Sequence, residues 1–285
     1  MIQSMTGYGK SILQLPSKKI SIEIKSLNSK NLDLNARMPS VYREKELFIR
    51  KLIASQLERG KVDFSLYLET TGEETSTQVN QPVIKAYMEQ LKSIVNGDAM
   101  ELLHMAVKMP DALNTERDEI DEDEWKSIES EIHNTLIKIN EYRTEEGKVL
   151  EIDFIERVKT IGSLLEEVII MDPDRIDGVR ERLQKGISEI KEKVDENRFE
   201  QELVYYIEKF DITEEKVRLK NHLEYFIKTL NSKDSNGKKL GFIGQEIGRE
   251  INTIGSKSNY APMQKLVVQM KDELEKIKEQ LLNVL

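Results

Sequence analysis

The chain has no cysteine in its 285 residues, which excludes disulfides and thiolate metal sites. Histidine is nearly as scarce. His104, His133 and His222 are the three present, so a zinc site of His and Cys is disfavoured and any metal site would be oxygen-rich. Long apolar runs are missing as well. No stretch approaches the roughly 20 apolar residues that span a bilayer, and the opening MIQSMTGYGK lacks the apolar core of a signal peptide. These absences predict a cytoplasmic protein with no membrane partner. No glycine loop of the Walker type occurs, which disfavours an NTPase.

What the chain has in quantity is charge. Charged residues make up 33% and apolar residues 38%, a balance that suits long solvated helices better than one compact core. The net charge of −9 is unevenly spread. Residues 1–70 carry 12 Lys and Arg against 7 Asp and Glu, a net of +5, which leaves −14 for the rest. The positive charge sits on the N-terminal part, where a polyanion could dock. An ordinary charge fluctuation would look the same.

Hydrophobic periodicity divides the chain. Residues 19–25, 32–37 and 62–68 alternate apolar and polar, as half-buried strands do, and residues 4–9 read as a further strand. Between the second and third alternating runs, Val41, Leu47, Ile49, Leu52, Ile53 and Leu57 form a helical stripe, with Gly60 as its C-cap. The order β-β-β-α-β predicts a mostly antiparallel sheet covered by a helix. Residues 72–80 (GEETSTQVN) mark a boundary, Pro82 opens a helix to about Val95, and residues 96–123 read as loop with an acidic run near 118–124.

From Trp125 onward the pattern is helical. One stripe runs through Trp125, Ile128, Ile132, Leu136 and Ile139 and continues from Leu150 to Leu165. Met171-Asp172-Pro173 is expected to break it, and Ile176 to Val194 resume it. Met263, Leu266, Met270, Leu274, Ile277 and Leu281 form a near-heptad seam. The expected class is α+β: an N-terminal sheet domain (1–72), a helical and loop connector (73–123), and an all-helical region with an extended helical hairpin (124–285).

Three helical segments are more polar than a solvated face requires: residues 197–202, 211–222 and 237–259. On the second, Glu215, Arg218 and His222 share a face, with Glu214 beside them. On the third, Glu246, Arg249, Glu250 and Thr253 share one, with Gln245, Asn252 and Lys257 close by. The linker at 231–237 would let these two helices pack antiparallel, so that their polar faces converge. Glu215, Glu246 and Glu250 could then bind Mg²⁺ or Mn²⁺. Arg218 and Arg249 could hold a phosphodiester, and His222 could move a proton. The competing reading is structural: Glu-x-x-Arg pairs stabilise helices, and a single histidine usually serves as a hydrogen-bonded support.

The chain resembles the YicC/YloC family over nearly its whole length. Ser4-Met5-Thr6-Gly7-Tyr8-Gly9 resembles the family's opening motif. Ser26-Leu27-Asn28, Arg37-Met38-Pro39 and Arg59-Gly60-Lys61 follow in order. The C-terminal matches are the most specific. They begin with Asn197-Arg198-x-Glu200-Gln201-Glu202, Asp211-Ile212-x-Glu214-Glu215, and Arg218-Leu219 with His222. They continue through Gly237-x-x-Leu240-x-Phe242, Gln245-Glu246, Arg249-Glu250, Asn252-Thr253 and Lys257-Ser258. Gly241 and Gly248 depart from the pattern, standing where the family often has Asp and Asn. Each costs about 1 kcal/mol of helix propensity relative to Ala.

The resemblance implies a divalent-metal-dependent endoribonuclease of RNA turnover, acting as a homo-oligomer, a hexameric ring or clamp around RNA. Asn252 and Lys257 join Arg37, Arg59 and Lys61 as RNA-binding candidates on that reading. Attack by metal-activated water would leave 5′-phosphate and 3′-hydroxyl ends, and a 2′-hydroxyl attack driven by His222 would leave a 2′,3′-cyclic phosphate. Two other readings compete: a noncatalytic oligomeric adaptor that delivers RNA to other decay nucleases, and a helical scaffold with no RNA affinity. Few aromatic platforms occur, so weak sequence preference is expected.

Overall fold

The computed structural model describes residues 2–71, 78–95, 97–114, 120–189, 196–232 and 236–285. The expected boundary at 72–80 lies largely outside these residues. So do Asp118 of the acidic run, the middle of the 231–237 linker, and Ile190 and Val194 of the predicted stripe. The side chains of Ile187, Asn197, Arg198 and Phe199 are likewise outside what is described.

Four strands form the N-terminal sheet: β1 (Gly7–Gln14), β2 (Lys18–Leu27), β3 (Leu32–Arg37) and β4 (Gly60–Thr70). Their spatial order is β1-β2-β4-β3, antiparallel except for the β3–β4 pair. Period-two alternation sends Ile20, Ile22 and Ile24 of β2, with Val62, Phe64 and Leu66 of β4, into one buried face. The expected helix between β3 and β4 divides into a 3₁₀ segment (Ser40–Lys45) and α1 (Glu46–Gln56). Gly60 does not cap it. Leu57 ends the helix in an extended conformation, and Gly60 opens β4 at φ +129°, where a side chain would be strained.

A short antiparallel pair of β5 (Gln78–Val79) and β6 (Leu113–Asn114) brackets α2 (Gln81–Ile94) and α3 (Ala99–Ala106). The second of these helices was expected to be loop. Asp98 caps it by accepting the Met100 N–H, and Leu102 and Ala106 anchor it.

The long helix α4 (Glu122–Glu189) has 68 residues, about 100 Å at the usual rise. It belongs to two cores. Trp125, Ile128, Ile132, Leu136 and Ile139 pack on the sheet together with α1. Phe154, Val158, Ile161, Leu165 and Val168 pack against α6 (Thr213–Leu230), α7 (Gly237–Lys257) and α8 (Ala261–Leu281). The expected break at Pro173 does not occur, and the helix runs through it. Proline removes one ladder bond, but the turn is pinned from outside. The buried Asp172 accepts from Arg175 Nε at 2.8 Å and from Lys216 Nζ at 2.7 Å. Arg175 donates in turn to the carbonyl of Phe210, just beyond α5 (Glu196–Lys209), at 2.8 Å.

Between the two cores the chain ends meet. Met5 N–H donates to Asn283 O at 2.7 Å, Leu285 N–H to Gln3 O at 3.0 Å, and Gly237 N–H to Leu285 O at 2.9 Å. Arg143 of α4, 1% exposed, donates to Met5 O at 3.2 Å and to Ser26 Oγ. Burial pulls its pKa down to about 10. No described helix is long and apolar enough to cross a membrane.

Candidate active site

The start of α6 is set by Asp211, whose carboxylate accepts the Thr213 N–H at 3.0 Å and the Thr213 hydroxyl at 2.6 Å. That hydrogen bonding holds Asp211 below the usual carboxylate range. Helical spacing then puts Glu215, Arg218 and His222 on one side, while Leu219, Leu223 and Phe226 enter the core. On α7, Leu240, Ile243, Ile247, Ile251 and Ile254 are buried and Glu246, Arg249 and Thr253 are at least partly exposed. The two helices run antiparallel. Lys257, in the last turn of α7, donates to Glu215 Oε1 in the first turn of α6 at 2.7 Å, and to Asp211 O at 3.0 Å.

Glu250 is the centre of this arrangement. It is 8% exposed, and burial raises its pKa. Arg218 and His222 pull in the opposite direction, and Glu215 and Glu246 push it higher. Those four neighbours are among the residues that helical spacing places on the two polar faces. Glu215, 7% exposed, keeps Oε2 buried with no hydrogen-bond partner. A carboxylate oxygen in that state is an unused acceptor.

The two arginines hold exposed pairs within their own helices. Arg218 pairs with Glu214, and Arg249 donates to Glu246 at 2.7 Å. Exposed pairs of this kind contribute little to stability, so an incoming phosphate can take over either guanidinium.

Among the described residues no three His, Asp or Glu side chains converge closely enough to form a ready-made cage. Mg²⁺-class ions are often bound by one or two carboxylates, with waters and substrate phosphates completing the shell. The orphaned Glu215 oxygen and the desolvated Glu250 fit that pattern.

Two family models cover the chain: "Endoribonuclease YicC-like, N-terminal region" over residues 2–151 and "Endoribonuclease YicC-like, C-terminal" over residues 168–285. The chain belongs to the YicC-like endoribonuclease family. It is 36% identical over 293 residues to a "Probable endoribonuclease YicC" of Clostridioides difficile, with both chains fully covered. A protein of the same name from Haemophilus influenzae is 26% identical over 287 residues, again covering both chains fully.

Within this YicC-like chain the remaining candidates are dispersed. Arg37 is exposed at the far end of β3, and Lys61 is exposed at the start of β4. Asp33 pairs with Lys61 and Arg37 with Ser65, so the two cations stand about 13 Å apart along the strands. Arg59 turns toward the C-terminus and donates to Val284 O. Asn252 is exposed on α7. Lys257 is committed inside the protein to Glu215 and Asp211. Asp172, Arg175 and Lys216, which brace the site from α4 and α6, carried no signal in sequence because the contacts joining them span up to 44 residues. Gly248 is buried against Leu274 of α8, whose Cδ2 would lie 3.2 Å from an added Cβ. A side chain there would meet α8 rather than the cluster.

Proposed function

We propose that this protein is an endoribonuclease that cuts RNA phosphodiester bonds at the α6–α7 cluster. The observation that carries the proposal is the buried carboxyl of Glu250 facing Arg218 and His222 across two helices, in a chain of this family. Perturbed carboxyls beside a histidine and an arginine are more common at reacting sites than in plain helix packing.

Each side chain has a role that its position supports. Arg218 and Arg249 hold the non-bridging oxygens of the phosphodiester, exchanging exposed carboxylate partners for phosphate. His222 moves the proton at the oxygen that attacks or leaves. Lys257 fixes Glu215 in place through an ion pair at 2.7 Å. Glu250, with Glu246 on its own helix or Glu215 on α6, would hold a divalent cation, Mn²⁺ or Mg²⁺, with water and phosphate oxygens completing the shell. When bound, that ion supplies activation of water and compensation of phosphate charge.

The test is cleavage of an end-labelled structured RNA by highly purified protein with Mn²⁺, Mg²⁺ or EDTA. Cleavage is expected with metal, with 5′-phosphate and 3′-hydroxyl ends. No cleavage is expected in EDTA or by the Glu246→Gln/Glu250→Gln variant. A 2′,3′-cyclic phosphate formed in EDTA would move the chemistry to His222 and remove the metal. Binding without cleavage under every condition would make the protein an RNA adaptor instead.

A further inference from the structure

A second cationic site lies where the sheet meets the helical body, outside the cluster described above. A cavity of about 390 Å³ opens between the β2–β3 turn, the residue before β4, and the outer ends of α7 and α8. Lys30, Arg59, Lys238 and Lys278 line it from four separate parts of the chain. Among the described residues no Asp or Glu lines it. Asn28 and Gln245 add polar groups that can donate hydrogen bonds. The Arg59 guanidinium is held by Val284 O while its Nε–H is buried with no partner. Lys278 is shared with Glu275 at 2.8 Å. Four cations gathered around one concavity repel one another unless an anion joins them. Phosphate recognition makes use of such a gathering of Lys and Arg side chains.

The cavity is also aligned with the candidate active site. Lys238 and Gln245 on its wall belong to the same helix as Glu246, Arg249 and Glu250. Gln245 and Arg249 are one turn apart, about 6 Å along the axis. An extended strand covers that step with about one nucleotide.

We propose that this junction cavity is a phosphate-binding subsite, filled by a backbone phosphodiester of the RNA strand that crosses α7 to the cluster. The inference rests on the RNA-cleaving reading above. The cavity accepts the phosphate next to the scissile one or close to it, so that Arg218 and Arg249 receive a strand already fixed at a second point. Base identity plays no part, because the lining offers charge and no aromatic face.

The test uses the full chain and a fluorescein-labelled 2′-O-methyl oligouridylate in EDTA, which blocks both cleavage routes. Binding is followed by anisotropy across a KCl series. Two variants change the cavity without touching a core. Lys30→Gln/Lys238→Gln removes two exposed cations. Gly241→Glu adds a carboxylate at a lining position where a Cβ meets nothing within 4 Å, and it raises helix propensity. Lys126→Gln, on the exposed side of α4, is the control.

Each cavity variant is expected to weaken binding about tenfold, and the double lysine variant to lower the log–log salt slope by about 1. Gly241→Glu should melt no lower than the wild type, which separates lost binding from lost folding. Unchanged affinity and slope in both variants would overturn the subsite while leaving the RNA reading intact. Failure of the wild type to bind at any salt would sink the RNA reading itself. Melting curves with inorganic phosphate then decide the cavity alone. A raised midpoint that both variants lose keeps it as a site for free phosphate, and no shift overturns it.

Discussion

Glu250 shows how the burial of a single carboxyl costs stability. Its folded pKa lies above the usual carboxylate value because burial disfavours the charged form. The folded state therefore holds the proton longer than the unfolded chain does. Stability is lost as pH rises from about 4.5 through the raised value. Glu250→Gln removes that loss. The variant is expected to melt roughly 1–2 °C above the wild type at neutral pH, and the gap should close below pH 4.5. Melting curves across pH check this, and a variant that melts lower at neutral pH would show Glu250 to be a structural anchor. The facing surfaces of Glu215, Arg218 and His222 with Glu246 and Arg249 were legible in the sequence, because helical spacing fixes which residues share a side. The burial of Glu250, the orphaned Glu215 oxygen and the capture of Lys257 were not. Each depends on how closely two helices approach, which no local pattern encodes.

At the scale of elements, close approach is governed by two glycines. A Cβ on Gly9 of β1 would lie 2.5 Å from the carbonyl of Thr135 in α4, and one on Gly147 of α4 would lie 2.1 Å from the carbonyl of Ile2. Both partners are backbone, so neither contact can be relieved by a rotamer change. Gly9→Ala is expected to cost about 2–3 kcal/mol, which denaturant unfolding would read as a lower midpoint at unchanged m-value. A midpoint within error of the wild type would show that α4 can slide on β1. The motif residues around Gly7 and Gly9 were visible in sequence, but their reason was not. The stripe from Trp125 to Ile139 was equally visible as helical, yet nothing in it says that its partner is a sheet rather than another helix. Proline 173 misled for a related reason. Its local propensity points to a break, and the contacts that override it come from residues up to 44 positions away.

Across the whole molecule, the two chain ends hold the sheet to the helical body. Ser4 bridges Val284, Met5 and Gln3 bond the C-terminal backbone, and Arg59 and Gly237 close on the last two residues. Backbone pairing between Ser4 and Val284, at opposite ends of the chain, leaves no trace in composition or periodicity. The α+β class and the long helical C-terminal region were legible, and the clasp that joins sheet to helices was not. Removing residues 283–285 should cost about 3 kcal/mol and lower the melting midpoint by roughly 6 °C. Hydrogen exchange at Met5 should accelerate with it, and protection equal to the wild type would show that the N-terminal arm is held by α4 alone.

The central claim is that RNA is cut at the cluster built around Glu250. It is tested most directly by single-turnover cleavage of one RNA by the wild type and by Glu250→Gln, with melting curves for both. A loss of at least about 100-fold in rate is expected in a variant that folds as well as the wild type or better. Cleavage by Glu250→Gln at the wild-type rate would contradict it and remove the α6–α7 cluster from the chemistry.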